Sequence, residues 1–306
     1  VNLKIDSVGV FASVFTACST LIGFVVALFS YRSRTKQNQT EWTASLIKDF
    51  LLHEKYISVR RNLELYYVET LNNYVQCIIS EIDPRIYCSK DEIDAGRDLE
   101  DFFAHLEFFC YLENQRRITT QDINASLGFW LSLLRKPNFI SLRVYLQSQD
   151  FEYIVAKIGG ELELNLFLVY GTLKSNSHAN EILGLGQVSK SLGDFKIPGS
   201  LYSINEEYPG ADLDLDSIFS NYPAKIHESF IAELLIVDLL KIDLKALLES
   251  LDDYENNGPR IEYRRYCIPS VDGKPAWIYD YIVETDLHSK IDSGFWIKGV
   301  SNISNN

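Results

Sequence analysis

Charged side chains are absent from Val8 to Tyr31. At about 1.5 Å per residue this stretch makes a helix of about 36 Å, enough for a hydrocarbon core of about 30 Å. The pattern predicts a transmembrane helix over residues 8–31. A cleavable leader fits poorly, because its apolar region is about 7–15 residues long and ends at a small-residue site. Arg32, Arg34 and Lys36 follow the stretch, whereas only Lys4 and Asp6 precede it. Positive charge stays inside. The expectation is therefore a single-pass protein of the inner (cytoplasmic) membrane, in contact with the lipid bilayer, its N-terminus outside and all later domains in the cytoplasm. Gly9, Ser13, Thr16, Thr20, Gly23, Ala27 and Ser30 recur at spacings of four and three. Such a small-residue seam lets helices approach closely, which predicts a homo-oligomer formed through this helix.

Residues 32–40 are polar and read as a juxtamembrane linker that can continue the helix. From Trp42 the apolar positions fall at helical spacings, with Leu46, Phe50 and Ile57 as examples. Asp83-Pro84 interrupts them. Leu99, Phe102, Phe103, Leu106, Phe109 and Cys110 line one face of a helix from about Asp94 to Glu113. Thr119 or Thr120 can cap a third helix that ends near Lys136-Pro137, and Asn138 to Ile158 supplies a fourth. Residues 41–158 thus read as a cytoplasmic α-helical bundle. The segment DLEDFFAHLEFFCYLENQRRITTQDINASLGFWLSLLRKP resembles a helical domain found after membrane anchors in bacterial proteins.

After Gly159-Gly160 the period changes. Leu162–Val169 is short and apolar, as a buried strand should be. Further strands are expected at Gly199–Ile204, Ser229–Val237, Tyr263–Ile268 and Ala276–Val283. Asp243 can cap a helix carrying Leu244, Leu247, Leu248 and Leu251 on one face. The fold class is then multi-domain: a transmembrane helix, a helical bundle, and a C-terminal mixed α+β small-barrel domain over 161–298, with a flexible tail at 299–306.

Charge sharpens the boundary. The chain of 306 residues carries a net −13. Residues 1–160 hold 17 basic and 19 acidic groups, and residues 161–306 hold 12 and 23. The acidic half argues against a nucleic-acid partner, which demands a basic surface. Five cysteines without a C-x-x-C pair suit a reducing compartment. The five histidines show no ligand spacing, and Asp212, Asp214 and Asp216 lack the Gly and Glu of a calcium loop. No metal and no cofactor are expected, and the three aspartates read as an acidic surface loop.

The strand ending at Val169 runs into Tyr170-Gly171-Thr172-Leu173, where a glycine turn can present consecutive backbone N–H groups. Five ordered segments, LFLVYGTLKSNSHANEIL, IPGSLYSINEEYPGA, LLESLDDYENNGPRIEYRRYCIPS, AWIYDYIV and IDSGFW, resemble the motifs of the γ-glutamylcyclotransferase-like (AIG2-like) superfamily over about residues 164–297. The resemblance implies a small mixed β-barrel with flanking helices, and release of 5-oxoproline from a small γ-glutamyl amine or peptide. It also implies that Glu255, ending Leu251-Asp252-Asp253-Tyr254-Glu255, is the general acid/base. Tyr170, Gly171, Thr172 and Leu173 would then bind the glutamyl group through backbone atoms. Tyr263, just after the Glu motif, is expected as a pocket wall or hydrogen-bond donor, and His178 as a local cap. Two departures stand out: Asn256 where the family often has Gly, and Gly294-Phe295-Trp296 where it usually has G-D-W. The alternative function is a ligand-sensing membrane effector, of the kind used in bacterial defence, whose pocket controls an oligomeric transmembrane helix.

Overall fold

A computed structural model describes residues 7–65, 67–175, 177–205, 207–219, 228–256, 262–270, 272–283, 289–291, 294 and 296; the side chains of 7–24, 36 and 67–69 lie outside the description. The tail expected at 299–306 is also outside it.

One continuous helix, α1 (Ser7–Leu52), occupies the N-terminal region. Its described side chains include Arg32, Arg34, Glu41, Lys48 and Asp49. Among the described residues no helix is long and apolar enough to cross a membrane. That finding corrects the transmembrane reading of 8–31, and with it the single-pass inner-membrane location. The membrane-effector alternative loses the element it would control. Residues 32–40 are helical within α1.

The helical part continues with α2 (Glu54–Leu65), a π-helical stretch at Tyr67–Asn72, α3 (Asn73–Ile79), α4 (Pro84–Tyr87), α5 (Lys90–Asn114) and α6 (Thr120–Leu133). Ser89 and Thr119 start α5 and α6 with reciprocal capping boxes to Glu92 and Asp122. The fourth expected helix is two, α7 (Ile140–Ser148) and α8 (Glu152–Ile158). Between them Asp150 takes a φ of 57°, which helix interiors do not allow.

The C-terminal part holds β1 (Leu166–Val169), α9 (His178–Ile182), α10 (Leu185–Val188), β2 (Ser189–Ile204), β3 (Tyr208–Leu213), α11 (Leu215–Phe219), β4 (Ser229–Val237), α12 (Leu244–Glu255), β5 (Tyr263–Pro269), β6 (Pro275–Tyr281) and β7 (Ser289–Lys290). The sheet order is β3-β2-β4-β1-β6-β5, with β7 on β2. Among the described residues only the β1–β6 pair is parallel. The sheet curls into a half-barrel, so that the Leu213 N–H on β3 donates to the Asp280 carboxylate on β6 at 2.8 Å. Asp212 accordingly lies in a strand, and Asp214 caps α11 by accepting from the Ser217 N–H at 3.0 Å.

Both faces of this sheet are covered, which explains its near-continuous apolar strands. Leu166, Leu168, Tyr170, Tyr266, Ile268, Ala276 and Ile278 point into the barrel with Phe230 and Leu201. Their alternates Phe167, Val169, Tyr263, Cys267, Trp277 and Tyr279 join Leu247 and Leu251 of α12 and the aromatic stripe of α5 in a second core. Helical and barrel parts therefore share one hydrophobic core across the Gly159-Gly160 boundary.

Candidate active site

Tyr170 continues the inward alternation of β1. Its hydroxyl donates to the Tyr279 carbonyl at 2.9 Å and accepts from the Ala211 N–H at 3.4 Å, tying three strands together. The chain then makes one 3-10 turn over Gly171–Leu173. The first N–H groups of such a turn have no partner within it. Ser177 Oγ donates to the Thr172 carbonyl, and Asn180 Nδ2 donates to the Leu173 carbonyl at 3.0 Å, so the turn is pinned from α9. Ser177, not His178, is the residue that caps α9.

Gly171 is required twice over. Its φ is +58°, and a Cβ there would stand 2.0 Å from Pro209 Cγ. Gly171→Ala is expected to cost roughly 2–5 kcal/mol from overpacking and left-handed strain together. A thermal melt lowered by about 5 °C or more is the expected reading; an unchanged melt would show that the turn relaxes freely.

Asp243 caps α12 by accepting from the Ala246 N–H at 3.0 Å. Leu247 and Leu251 are the buried stripe of this helix. Glu255 falls four residues further on, so the helix period carries a carboxyl onto its apolar face. Part of the residue remains accessible. Burial, with the nearby Asp252 charge second, pushes the Glu255 carboxyl up to about 8. Its charge also reaches the phenols of Tyr170, Tyr263 and Tyr279. Among the described residues no hydrogen bond is made to the Glu255 carboxyl.

Asp252, one turn earlier, is fully engaged. Arg265 Nη1 lies 2.6 Å from its Oδ2, and the Tyr279 hydroxyl donates to its Oδ1 at 2.6 Å. Burial raises the Asp252 carboxyl, opposed first by Arg265 and then by Tyr279. Tyr263 is buried and donates to the Pro209 carbonyl at 2.8 Å, with its ring 5.2 Å from that of Tyr281. Asn256 has a local role: its Oδ1 accepts from the N–H groups of Glu262 and Tyr263 at 3.1 and 3.0 Å, fastening the end of α12 to the start of β5. At the second departure, the Gly294 carbonyl accepts from the Ile231 N–H at 3.0 Å, and Phe295 lies outside the described residues.

The Glu255 charge thus acts on Tyr170 and Tyr263, and Pro209 accepts from Tyr263 and packs on Gly171. Sequence reasoning missed Asp252, Arg265, Tyr279 and Asp280. Asp280 is buried in β6, and burial pushes its carboxyl up to about 7. A carboxylate inside the apolar run AWIYDYIV is costly unless it is satisfied, and that was the available signal. Among the described residues no group of three or more His, Cys, Asp or Glu side chains could hold a metal ion.

The part of the chain that holds this site is similar to known proteins. The family model described as gamma-glutamyl cyclotransferase, AIG2-like, matches residues 167–298. A curated protein of Vibrio cholerae serotype O1, named "Putative gamma-glutamylcyclotransferase", is 34% identical over 138 residues, which is 44% of this chain and 98% of that protein. Among solved structures, the solution structure of protein ytfP from Escherichia coli is 29% identical, over 43% of this chain and 96% of that one, with a TM-score of 0.29. The crystal structure of a mouse aig2-like protein is 20% identical, over 40% of this chain and 79% of that one, with a TM-score of 0.27. By its family model and its Vibrio relative, the chain belongs, through residues 167–298, to the AIG2-like gamma-glutamyl cyclotransferase family.

Proposed function

We propose that the protein releases 5-oxoproline from a γ-glutamyl amine or peptide, with Glu255 as the proton carrier. The observation supporting this most directly is a carboxyl on the apolar face of α12, raised to about 8, whose charge acts on the phenols of Tyr170, Tyr263 and Tyr279. The substrate's α-nitrogen attacks its own γ-carbonyl carbon. A ring C–N bond forms, and the C–N bond to the leaving amine breaks. Two protons leave the attacking ammonium nitrogen and two arrive on the departing nitrogen. One carboxyl that takes and returns a proton relays both. Its proton affinity lies near that of an amine, which makes each transfer close to balanced. Intramolecular attack supplies much of the rest, up to about 7–11 kcal/mol of barrier, provided the glutamyl group is held folded. In this reading the backbone of Tyr170, Gly171, Thr172 and Leu173 holds the α-substituents, and Tyr263 walls the pocket.

The full chain incubated with a panel of γ-glutamyl amines and peptides should yield 5-oxoproline; none from any member would reject the proposal. The pH profile adds a second reading. Glu255 must be ionised to accept the ammonium proton, so kcat/KM should rise about tenfold per pH unit until about pH 8 and then level. A profile flat from pH 6 to 9 would remove Glu255 from this role.

A further inference from the structure

Arg265 and its neighbour Arg264 are both buried cations of the barrel. Arg265 lies on β5 and is 5% exposed. Its guanidinium bridges two separate parts of the chain. Nη1 meets Asp252 on α12 at 2.6 Å, and Nη2 donates to the Ser80 carbonyl, just past the end of α3, at 3.4 Å. The group also lies over the Trp277 ring, 5.2 Å from its centroid. Ser80 closes the arrangement from the other direction, its Oγ donating to the Arg265 carbonyl at 2.8 Å. The turn that ends α3 thus grips both the backbone and the head group of one arginine, and that arginine grips the carboxylate one turn before Glu255.

Two carboxyls three residues apart on a helix, both drawn into protein, compete for one proton. Which of them carries it depends on the groups facing each. Asp252 faces Arg265 on β5, Tyr279 on β6 and its helix neighbours Asp253 and Glu255. Glu255 faces Asp252 and the neutral phenols of Tyr170, Tyr263 and Tyr279. Cys267 is the other titratable group near Arg265, and burial keeps it a neutral thiol. Among the described residues, the cation on these faces sits on Asp252.

We propose that Arg265 is a positioning residue for the reaction: held by the end of α3, it neutralises Asp252 and leaves Glu255 as the carboxyl that exchanges protons with substrate. The helical part is then a support of the active site and not an appendage to it. The inference rests on the reading of Glu255 as the proton carrier, yet it is measurable without turnover.

The experiment is a carbon-13 carboxyl NMR titration of the full chain. Asp252→Asn and Glu255→Gln assign the two signals. In the natural protein Asp252 should titrate well below Glu255. In Arg265→Met the Asp252 midpoint should rise by about two pH units, and the two carboxyls should titrate together as a coupled pair. With substrate, kcat should fall at least about tenfold, whereas KM should stay within about threefold, because binding is left in place. Arg265→Lys, which keeps the charge, should return the Asp252 midpoint to within about one unit. Tyr279→Phe removes only a hydrogen bond to Asp252 and should raise its midpoint by a smaller amount; this variant decides the matter if Arg265→Met does not fold. An Asp252 midpoint unmoved in whichever of these variants folds would overturn the proposal. A natural protein that makes no 5-oxoproline but shows the predicted shifts would reject the cyclotransferase reading and leave the Arg265–Asp252 coupling standing.

Discussion

Glu255→Gln is expected to lose 5-oxoproline release while gaining stability at alkaline pH. The loss should be about 10²–10⁴-fold in kcat, the usual worth of a general acid/base, with the substituted amide unable to carry a proton. The gain follows from linkage. The carboxyl titrates near 8 in the folded chain against an ordinary value of 4.5. The folded state therefore binds the proton more tightly than the unfolded one between those values. The stability that Glu255 contributes is fully present below about pH 4.5 and is lost as pH rises towards 8. The decline is on the order of 4–5 kcal/mol at its upper limit, and less in practice because part of the residue is open to solvent. A neutral amide does not ionise, so the variant should escape the decline, minus the cost of leaving its own amide short of partners. Denaturant unfolding at pH 5 and pH 9 separates the two effects. The variant should match or fall below the natural protein at pH 5 and exceed it at pH 9. Equal losses at both pH values would show that the carboxyl is hydrated in the folded state, and the proton-carrier reading would lose its physical basis.

Much of the barrel was legible because both faces of its strands are buried. Ser229–Val237 reads as a strand from its apolar run, and β4 covers those residues. The helix capped by Asp243 follows from the cap and the Leu247, Leu251 spacing. β2 was read only from Gly199 onward, because its first half is exposed, carries a bulge near Gly193 and shows no apolar alternation. The break between α7 and α8 contains neither Gly nor Pro; an Asp in the left-handed region makes it, and short polar residues do this without announcing it. The charge step at Gly159-Gly160 suggested two independent parts, yet charge reports on surface and the shared core is built from apolar residues on both sides. The site followed the same division. The turn at Tyr170–Leu173 and the carboxyl at Glu255 are local signals. The bridge from Asp252 to Arg265 and Tyr279 is a pairing between α12, β5 and β6, and Asp-Asp or Arg-Arg pairs in a sequence read first as solvated surface.

The largest expected loss of stability is at Gln76. β5 is the outer strand of the sheet, and an outer strand leaves every second residue's N–H and C=O without a ladder partner. At Cys267 a side chain replaces the missing strand. Gln76 on α3 is fully buried. Its Nε2 donates to the Cys267 carbonyl, and its Oε1 accepts from the Cys267 N–H, both at 2.9 Å. Asn72 steadies the amide by accepting from Nε2 at 3.3 Å, and Asn72 in turn accepts from Ser141 Oγ at 3.2 Å. Gln76→Leu keeps the size and strands both backbone groups of Cys267 in a buried place. At about 1–3 kcal/mol for each stranded group, the loss should be roughly 2–6 kcal/mol, read as a lower denaturant midpoint with an unchanged slope. The Cys267 amide should exchange its hydrogen faster in the same variant, since the bond protecting it is gone. A loss below about 1 kcal/mol would mean that β5 does not depend on α3. The strand carries Tyr263 and Arg265 as well as Cys267. Loosening its outer edge should therefore reduce 5-oxoproline release along with stability, whereas a substitution on the far side of the helical part should leave release untouched.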